Sequence, residues 1–248
     1  MTDRFLNQRT DVYEAMIDWP KRLDHEGPFY RALFEQAEAK SVIDSACGTG
    51  HHAAMFHLWG IDVEAADHSR EMISHAKKLH GSPSGLTWKV RDFADSIDAG
   101  PFDVALCVGN SLALANDVDA MQSAFTNLFA AIRSGGAIVI HVLNVWRLPE
   151  GSIVWQKCLL REIRSRKVQI LKGVHRFGRQ GFVDLVVTDL VGENILHEES
   201  VPFRGAQADE LATFAVAAGA TRTEIFGGYA KHPYTPNTST DLLLVAWK

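Results

Sequence analysis

The chain has 248 residues, 46% of them hydrophobic and 22% charged, with a formal net charge of -5; this is ordinary globular usage, enough for one large domain with a sizeable core. The negative balance argues against a nucleic-acid partner, which needs clustered lysine and arginine, and no apolar run approaches the roughly 20 residues of a membrane span. Three cysteines without metal-ligand spacing, and an opening segment "MTDRFLNQRTDVYEA" without the apolar core of a signal peptide, point to a reduced cytoplasmic protein and away from a disulfide framework.

Residues 1–40 read as helical, with Tyr13, Met16 and Ile17, then Phe29, Leu33 and Phe34, at three- and four-residue spacings. Pro20 and Gly27-Pro28 are expected to break this run into pieces. From Ser41 strand and helix alternate. "SVIDSA" reads as a first strand and "HHAAMFHLWG" as a helix stopped at Gly60. "IDVEAAD" is a second strand and "SREMISHAKKLHG" a helix with Ser69 as N-cap. "LTWKVRDF" and the apolar "FDVALCVG" follow as third and fourth strands, then the helix "DAMQSAFTNLFAAIRSGG" with a Gly stop and a fifth strand, "AIVIHVLN". Such alternation implies right-handed crossovers and a mostly parallel sheet. After Leu148, "RKVQILKGVHRF", "GFVDLVVTDLV" and "NILHEESVPFR" read as three strands joined by short turns, hence antiparallel. The basic cluster Arg161–Lys167 before them reads as a solvated face. A helix, "AQADELATFAVAAGA", and two strands, "TRTEIFGGY" and "DLLLVAWK", close the chain.

In an open parallel sheet, ligands bind outside the carboxyl ends of the strands, where the strand order reverses. Residues 44–50 lie there, and Gly48-Thr49-Gly50-His51-His52-Ala53 satisfies the weak Gly-x-Gly-x-x-Gly/Ala fingerprint. On that fingerprint alone the chain fits an NAD(P)-dependent oxidoreductase, with Asp67 as the ribose acid. Asp44, at the mouth of the first strand, argues otherwise: a carboxylate there repels a pyrophosphate and suits a ligand with an ammonium group. S-adenosylmethionine carries an ammonium and a sulfonium and no phosphate, and the glycines then let the backbone approach it closely. Asp67 ends the second strand, where it can take both ribose hydroxyls. Asp92 and Phe93 end the third, suited to the adenine amine and ring. Val108-Gly109-Asn110-Ser111 ends the fourth, beside the reacting centre. The adjacent histidines His51 and His52 project about 100° apart on a helix and make poor joint ligands, so no metal site is expected.

These strand ends resemble the sequential motifs of class I S-adenosylmethionine-dependent methyltransferases over residues 41–145. Within that class, "VIDSACGTG" with "LCVGNSLA" is similar to the glycine and glycine/sarcosine N-methyltransferases. The resemblance implies a three-layer α/β Rossmann-like fold in a single domain. Its parts would be a helical cap (1–40), a cofactor-binding half (41–149), an antiparallel lid insertion (150–204) and a C-terminal helix and strands (205–248). The sheet would be seven-stranded and mostly parallel, with an antiparallel last strand. It implies S-adenosylmethionine held through Asp44, the Ala46 backbone, Gly48 and Gly50, with Asp67 on the ribose, Asp92 and Phe93 on the adenine and the Val108 backbone alongside. Tyr13 and Arg22 would cover the methionine end. Asn110 would contact the acceptor, and Asn144 matches a further asparagine of the group. One departure is clear: the arginine that grips a substrate carboxylate in the glycine enzymes corresponds to Leu143, which cannot do so. Glycine itself is therefore not the expected acceptor; Arg147 from the following loop would be a substitute and Trp146 a wall for a larger acceptor.

An amine acceptor has to lose a proton, and His141 is the candidate base, although inside "AIVIHVLN" it better suits a hydrogen-bonded core histidine. His175 and His232 are further candidates, and Tyr229 and Tyr234 could line the pocket. The expected activity is methylation of a small molecule at nitrogen, with oxygen or carbon as the alternative acceptor atom, and the chain could form a homo-oligomer.

Overall fold

A computed structural model describes residues 10–192 and 194–248. Residues 1–9 of the expected cap and Glu193 of the expected Gly-Glu-Asn turn lie outside the described residues. The body is a seven-stranded sheet of β1 (Ser41–Asp44), β2 (Asp62–Asp67), β3 (Leu86–Val90), β4 (Phe102–Cys107), β5 (Ile132–Leu143), β10 (Arg222–Phe226) and β11 (Asp241–Trp247), in the order β10-β11-β5-β4-β1-β2-β3. The first five strands pair in parallel, and β11 runs antiparallel to both β5 and β10. The carboxyl ends of β1 to β5 therefore share one edge, and the order reverses between β1 and β4. Central strands β1, β4 and β5 are buried on both faces, which is why they read as unbroken apolar runs.

Helices α1 (Thr10–Met16), α2 (Trp19–Gln36), α3 (His51–Leu58), α4 (Arg70–His80), α5 (Val118–Ala131) and α6 (Ala208–Ala217) cover the sheet. The Ser69 side chain accepts the Met72 N–H at 3.2 Å, capping α4 as the sequence predicts. Two boundaries differ from expectation. Gly27-Pro28 does not break α2: the helix runs through it because Phe29, Tyr30, Leu33 and Phe34 are buried against Phe56 of α3 and its surroundings, and this packing outweighs the interior proline. Helix α5 ends at Ala131, before the Gly-Gly pair, and the chain is already extended from Ile132. Arg133 Nε meets Asp103 Oδ1 at 2.6 Å there, and a Cβ on Gly136 would lie 2.6 Å from the Asp103 carbonyl. The glycines serve close strand approach, not a helix stop.

The insertion is a separate sheet of four strands where three were expected: β6 (Val154–Ile163), β7 (Arg166–Phe177), β8 (Gln180–Asp189) and β9 (Ile195–Arg204), paired antiparallel in sequence order. β6 is an edge strand with a bulge between Trp155 and Lys157, so its alternation is interrupted and no period-2 pattern shows in the sequence. The Arg161–Lys167 cluster forms the β6–β7 hairpin. It is exposed, but Arg161 Nε donates to Ala15 O at 2.9 Å and Arg164 meets Asp11 at 3.0 Å, so it also holds α1. The inner face of this lid (Val168, Ile170, Leu185, Val187, Val201) buries Val12 and Met16 of α1. Among the described residues, no helix is long and apolar enough to cross a membrane.

Candidate active site

The floor of the crevice is the turn after β1. Asp44 is 1% exposed, and the one hydrogen bond its carboxylate accepts among the described residues is a long one, 3.4 Å, from Ala46 N–H. Burial raises its carboxyl to about 7; the Ala46 N–H and Arg22 oppose the rise and Asp67 adds to it. A carboxylate this deep with so little support is expensive unless a cationic donor completes it. Gly48 has φ +55, and a Cβ there would point at the Tyr13 hydroxyl 3.7 Å away. Gly50 takes the left-handed N-cap position of α3, φ +82, with the Trp88 indole 2.4 Å from where a Cβ would stand. Asp67, at the end of β2, accepts Gly48 N–H and Ser69 N–H, each at 2.9 Å and on different oxygens. It ties the turn to β2, and His68 Nδ1 stands 3.5 Å from its Oδ1.

At the next strand ends, Asp92 accepts Ala94 N–H at 2.8 Å and Phe93 packs against the α5 side of the core. Val108 is buried with its carbonyl on Ser111 Oγ at 3.0 Å. Asn110 sits at φ +74; its Oδ1 accepts Leu143 N–H at 2.9 Å and its N–H donates to His141 O at 3.1 Å, so it fastens the end of β4 to the end of β5. What its side chain can offer an acceptor is its amide hydrogens. From the cap, Tyr13 and Arg22 reach the same crevice. Arg22 Nη2 comes within 4.0 Å of the Cβ position of Gly109 and its Nε holds Glu26 at 2.8 Å; burial pushes the Tyr13 phenol up to about 12.

Against this geometry, the family model for the methyltransferase domain matches residues 42–136. Residues 42–136 carry a methyltransferase domain, and the chain is similar to the S-adenosylmethionine-dependent methyltransferases. It is similar to the glycine/sarcosine N-methyltransferase of Parasynechococcus marenigrum (strain WH8102), 30% identical over 155 residues, which are 59% of this chain and 53% of that protein. It is similar also to the glycine N-methyltransferase of Homo sapiens, 30% identical over 162 residues, 56% of this chain and 55% of that protein. The chain spans about half the length of the curated relatives it matches. Among solved structures, the CcbJ methyltransferase from Streptomyces caelestis shares the fold over 100% of this chain and 98% of its own, with TM-score 0.79 at 18% identity.

Several of the expected site residues make contacts within the protein. His141 is not placed as a base: its Nδ1 accepts Gly109 N–H at 3.1 Å, which puts the proton on Nε2, and Nε2 faces Asp241 Oδ1 at 3.2 Å. Asn144 is 2% exposed and engaged on every side. Its Nδ2 donates to Pro236 O and Ser239 O at 2.8 and 2.7 Å, and its Oδ1 accepts from Trp146 N–H and the Tyr234 hydroxyl at 3.2 and 3.1 Å. It pins the loop before β11 and has nothing left for an acceptor. Asn144→Ala is expected to destabilise the fold by about 2–4 kcal/mol, since it leaves buried carbonyls unsatisfied; a thermal melt checks this. Tyr229 is buried with its hydroxyl 3.2 Å from that of Tyr30, Trp146 donates its indole N–H to Ala206 O at 2.8 Å, and Arg147 Nε is buried without a partner among the described residues and is tied to none of the crevice groups.

Sequence reading missed the clamp that seats the cap. His51 Nε2 meets Glu14 Oε2 at 3.0 Å, and His52 Nε2 meets Glu26 Oε2 at 2.7 Å. Trp19 stacks on His51 with ring centroids 4.1 Å apart. Glu26, held down to about 2 by His52 and Arg22 despite its burial, is the hinge of this network. The pair His51-His52 was legible as two divergent side chains; that each faces a different glutamate of the cap was not. Asp241, the partner of His141, lay in a segment whose only signal was that of a last strand.

Proposed function

We propose that the chain transfers a methyl group from S-adenosylmethionine to a nitrogen of a small-molecule acceptor. The carrying observation is Asp44: a buried, barely hydrogen-bonded carboxylate at the switch point, with Asp67 beyond it, fits a ligand that brings a cation to the first strand and ribose hydroxyls to the second. The residues present fit that cofactor, which supplies a methyl group already activated by its sulfonium. Asp44 holds its ammonium end, Tyr13 and Arg22 cover that end, Asp67 takes the ribose, Asp92 and Phe93 take the adenine, and Asn110 offers amide hydrogens to the acceptor. The cap and the lid exclude water, which leaves an acceptor less solvated and more nucleophilic. The choice of nitrogen draws on the two N-methyltransferases named above.

Calorimetry tests this. S-adenosylhomocysteine is expected to bind and NADH is not; binding of NADH alone would replace the proposal with an oxidoreductase. Turnover across amine, phenol and acid libraries, read by mass spectrometry, then fixes the acceptor atom, and products methylated only at oxygen or carbon would overturn the nitrogen assignment. Asp67→Ala is expected to weaken S-adenosylhomocysteine by about 1–3 kcal/mol through lost charge-assisted bonds. Unchanged affinity in a folded variant would put the ribose elsewhere.

A further inference from the structure

The lid carries two lysines with no place in that scheme. Lys157 on β6 and Lys172 on β7 are register partners in an antiparallel pair. Side chains so placed share a face with Cβ atoms roughly 5 Å apart, and like charges there are destabilising. The face is the inner one. Ile170 and Val174, flanking Lys172 on β7, are buried, and so is Leu185, its partner on β8. Cys158 and Leu160, next to and beyond Lys157 on β6, lie on the exposed side. Lys157 Nζ donates to Met16 O at 2.7 Å, and Lys172 makes no hydrogen bond or ion pair among the described residues.

Among the described residues no carboxylate forms an ion pair with either lysine; Asp18 acts on Lys157 only from a distance. Arg22, near enough to act on both, adds a third positive charge and already holds Glu26. Asp241, the one anion acting on Lys172, faces His141. Glu199, in the same row across β9, is 3.2 Å from His197. Two half-buried ammonium groups stand opposed on an apolar sheet face, and among the described residues neither has a carboxylate in ion-pair contact.

We infer that Lys157 and Lys172, with Arg22, form an anion subsite, so that the methyl acceptor carries a carboxylate or phosphate-type group held against the lid. This rests on the methyltransferase reading above and adds the charge of the acceptor to it. Burial first, then Lys157 and Arg22, hold the Lys172 ammonium down to about 8, with Asp241 opposing. The subsite therefore loses a charge as the pH rises through about 8, and preference for an anionic acceptor fades over that range.

The test uses the full chain as wild type, Lys157→Met, Lys172→Met and Lys172→Arg. Each is titrated with S-adenosylhomocysteine, then given S-adenosylmethionine and a panel of amines, every amine supplied as its carboxylic acid, its phosphonic acid and its neutral amide. Wild type is expected to favour an acid form over its amide by about tenfold or more in kcat/KM. Both methionine variants lose that ratio through KM, Lys172→Arg keeps it, and affinity for S-adenosylhomocysteine is equal in all four. The carboxylate and phosphonate arms tell which anion is preferred. Equal kinetics for acid and amide in wild type overturn the inference, and so does a preference that survives both methionine variants. A loss of S-adenosylhomocysteine affinity that tracks the lysines also overturns it, by assigning them to the cofactor's own carboxylate. If no amine turns over, the loaded proteins are melted in sodium acetate and sodium phosphate against sodium chloride of equal ionic strength. A rise in midpoint of about 2 °C or more, confined to wild type and Lys172→Arg, is expected; no anion-specific rise overturns the subsite. Failure of wild type to bind S-adenosylhomocysteine instead sinks the methyltransferase reading, and the same melt on unliganded protein still decides the subsite.

Discussion

Asp44→Asn is expected to stabilise the ligand-free protein at pH 8 while weakening S-adenosylmethionine about 100-fold. The two effects have one origin. The folded carboxyl sits at about 7, against an ordinary value of roughly 3.9 in the unfolded chain. Between those values the folded state binds the proton and the unfolded state does not. Stability of the free protein therefore falls as the pH rises from about 4 to about 7 and is level above, a loss of up to about 4 kcal/mol from this group alone. Asparagine removes that slope: the variant should melt higher than wild type at pH 8 and the same at pH 4. A cationic ligand reverses the preference, because it stabilises the ionised form. Wild-type affinity should accordingly climb from pH 6 to pH 8 and then level, with proton release on binding, and the asparagine variant should bind weakly at every pH. A variant that is less stable at pH 8, or one that binds as wild type does, would remove Asp44 from the site.

Gly50→Ala is expected to cost about 3 kcal/mol or more, enough to unfold a marginal domain. The residue is at φ +82, where a Cβ is disfavoured by roughly 1 kcal/mol. The new methyl would also overlap the Trp88 ring, whose atoms lie 2.4 and 2.5 Å away. That ring cannot swing aside cheaply, since its Nε1 donates to Gly81 O at 2.8 Å and it is buried at 7% exposure. Moving either the indole or the turn shifts Gly48 and the amide that meets Asp67, so binding should fall with stability. Chemical denaturation with S-adenosylhomocysteine titration at low temperature separates the two. A fully stable Gly50→Ala protein would mean that the turn tolerates a side chain and that this glycine is incidental.

The strand-end residues proposed for the cofactor were legible because they are local. Asp44, Gly48, Gly50, Asp67 and Asp92 each lie at or just beyond a strand whose end is marked by an apolar run giving way to a polar or glycine residue, and parallel pairing brings all those ends to one edge. The acceptor side was not legible, because it depends on pairings between distant segments. Asn144, which matches an asparagine of the resembled group, fastens a loop about ninety residues on. His141, a candidate base that better suited a core histidine, orients Gly109 while facing Asp241, a partner a hundred residues away. Lys157 and Lys172 lie fifteen residues apart and carried no signal in the sequence; the hairpin register sets them opposite each other on the inner face. The interior proline of α2 misled for the same reason, since it is packing against α3 that carries the helix through Pro28.

By itself the sequence determined the alternation of strand and helix from β1 to β5, the shared edge of those strand ends and the carboxylates standing there, since periodicity and turn chemistry act over a few residues. Only the tertiary structure decided which polar side chains remain for chemistry. A buried polar group takes whatever partner the fold brings within about 3 Å, and for His141, Asn144, Tyr229 and Lys157 that partner is another part of the protein, while Asp44 has one long hydrogen bond and Lys172 none among the described residues.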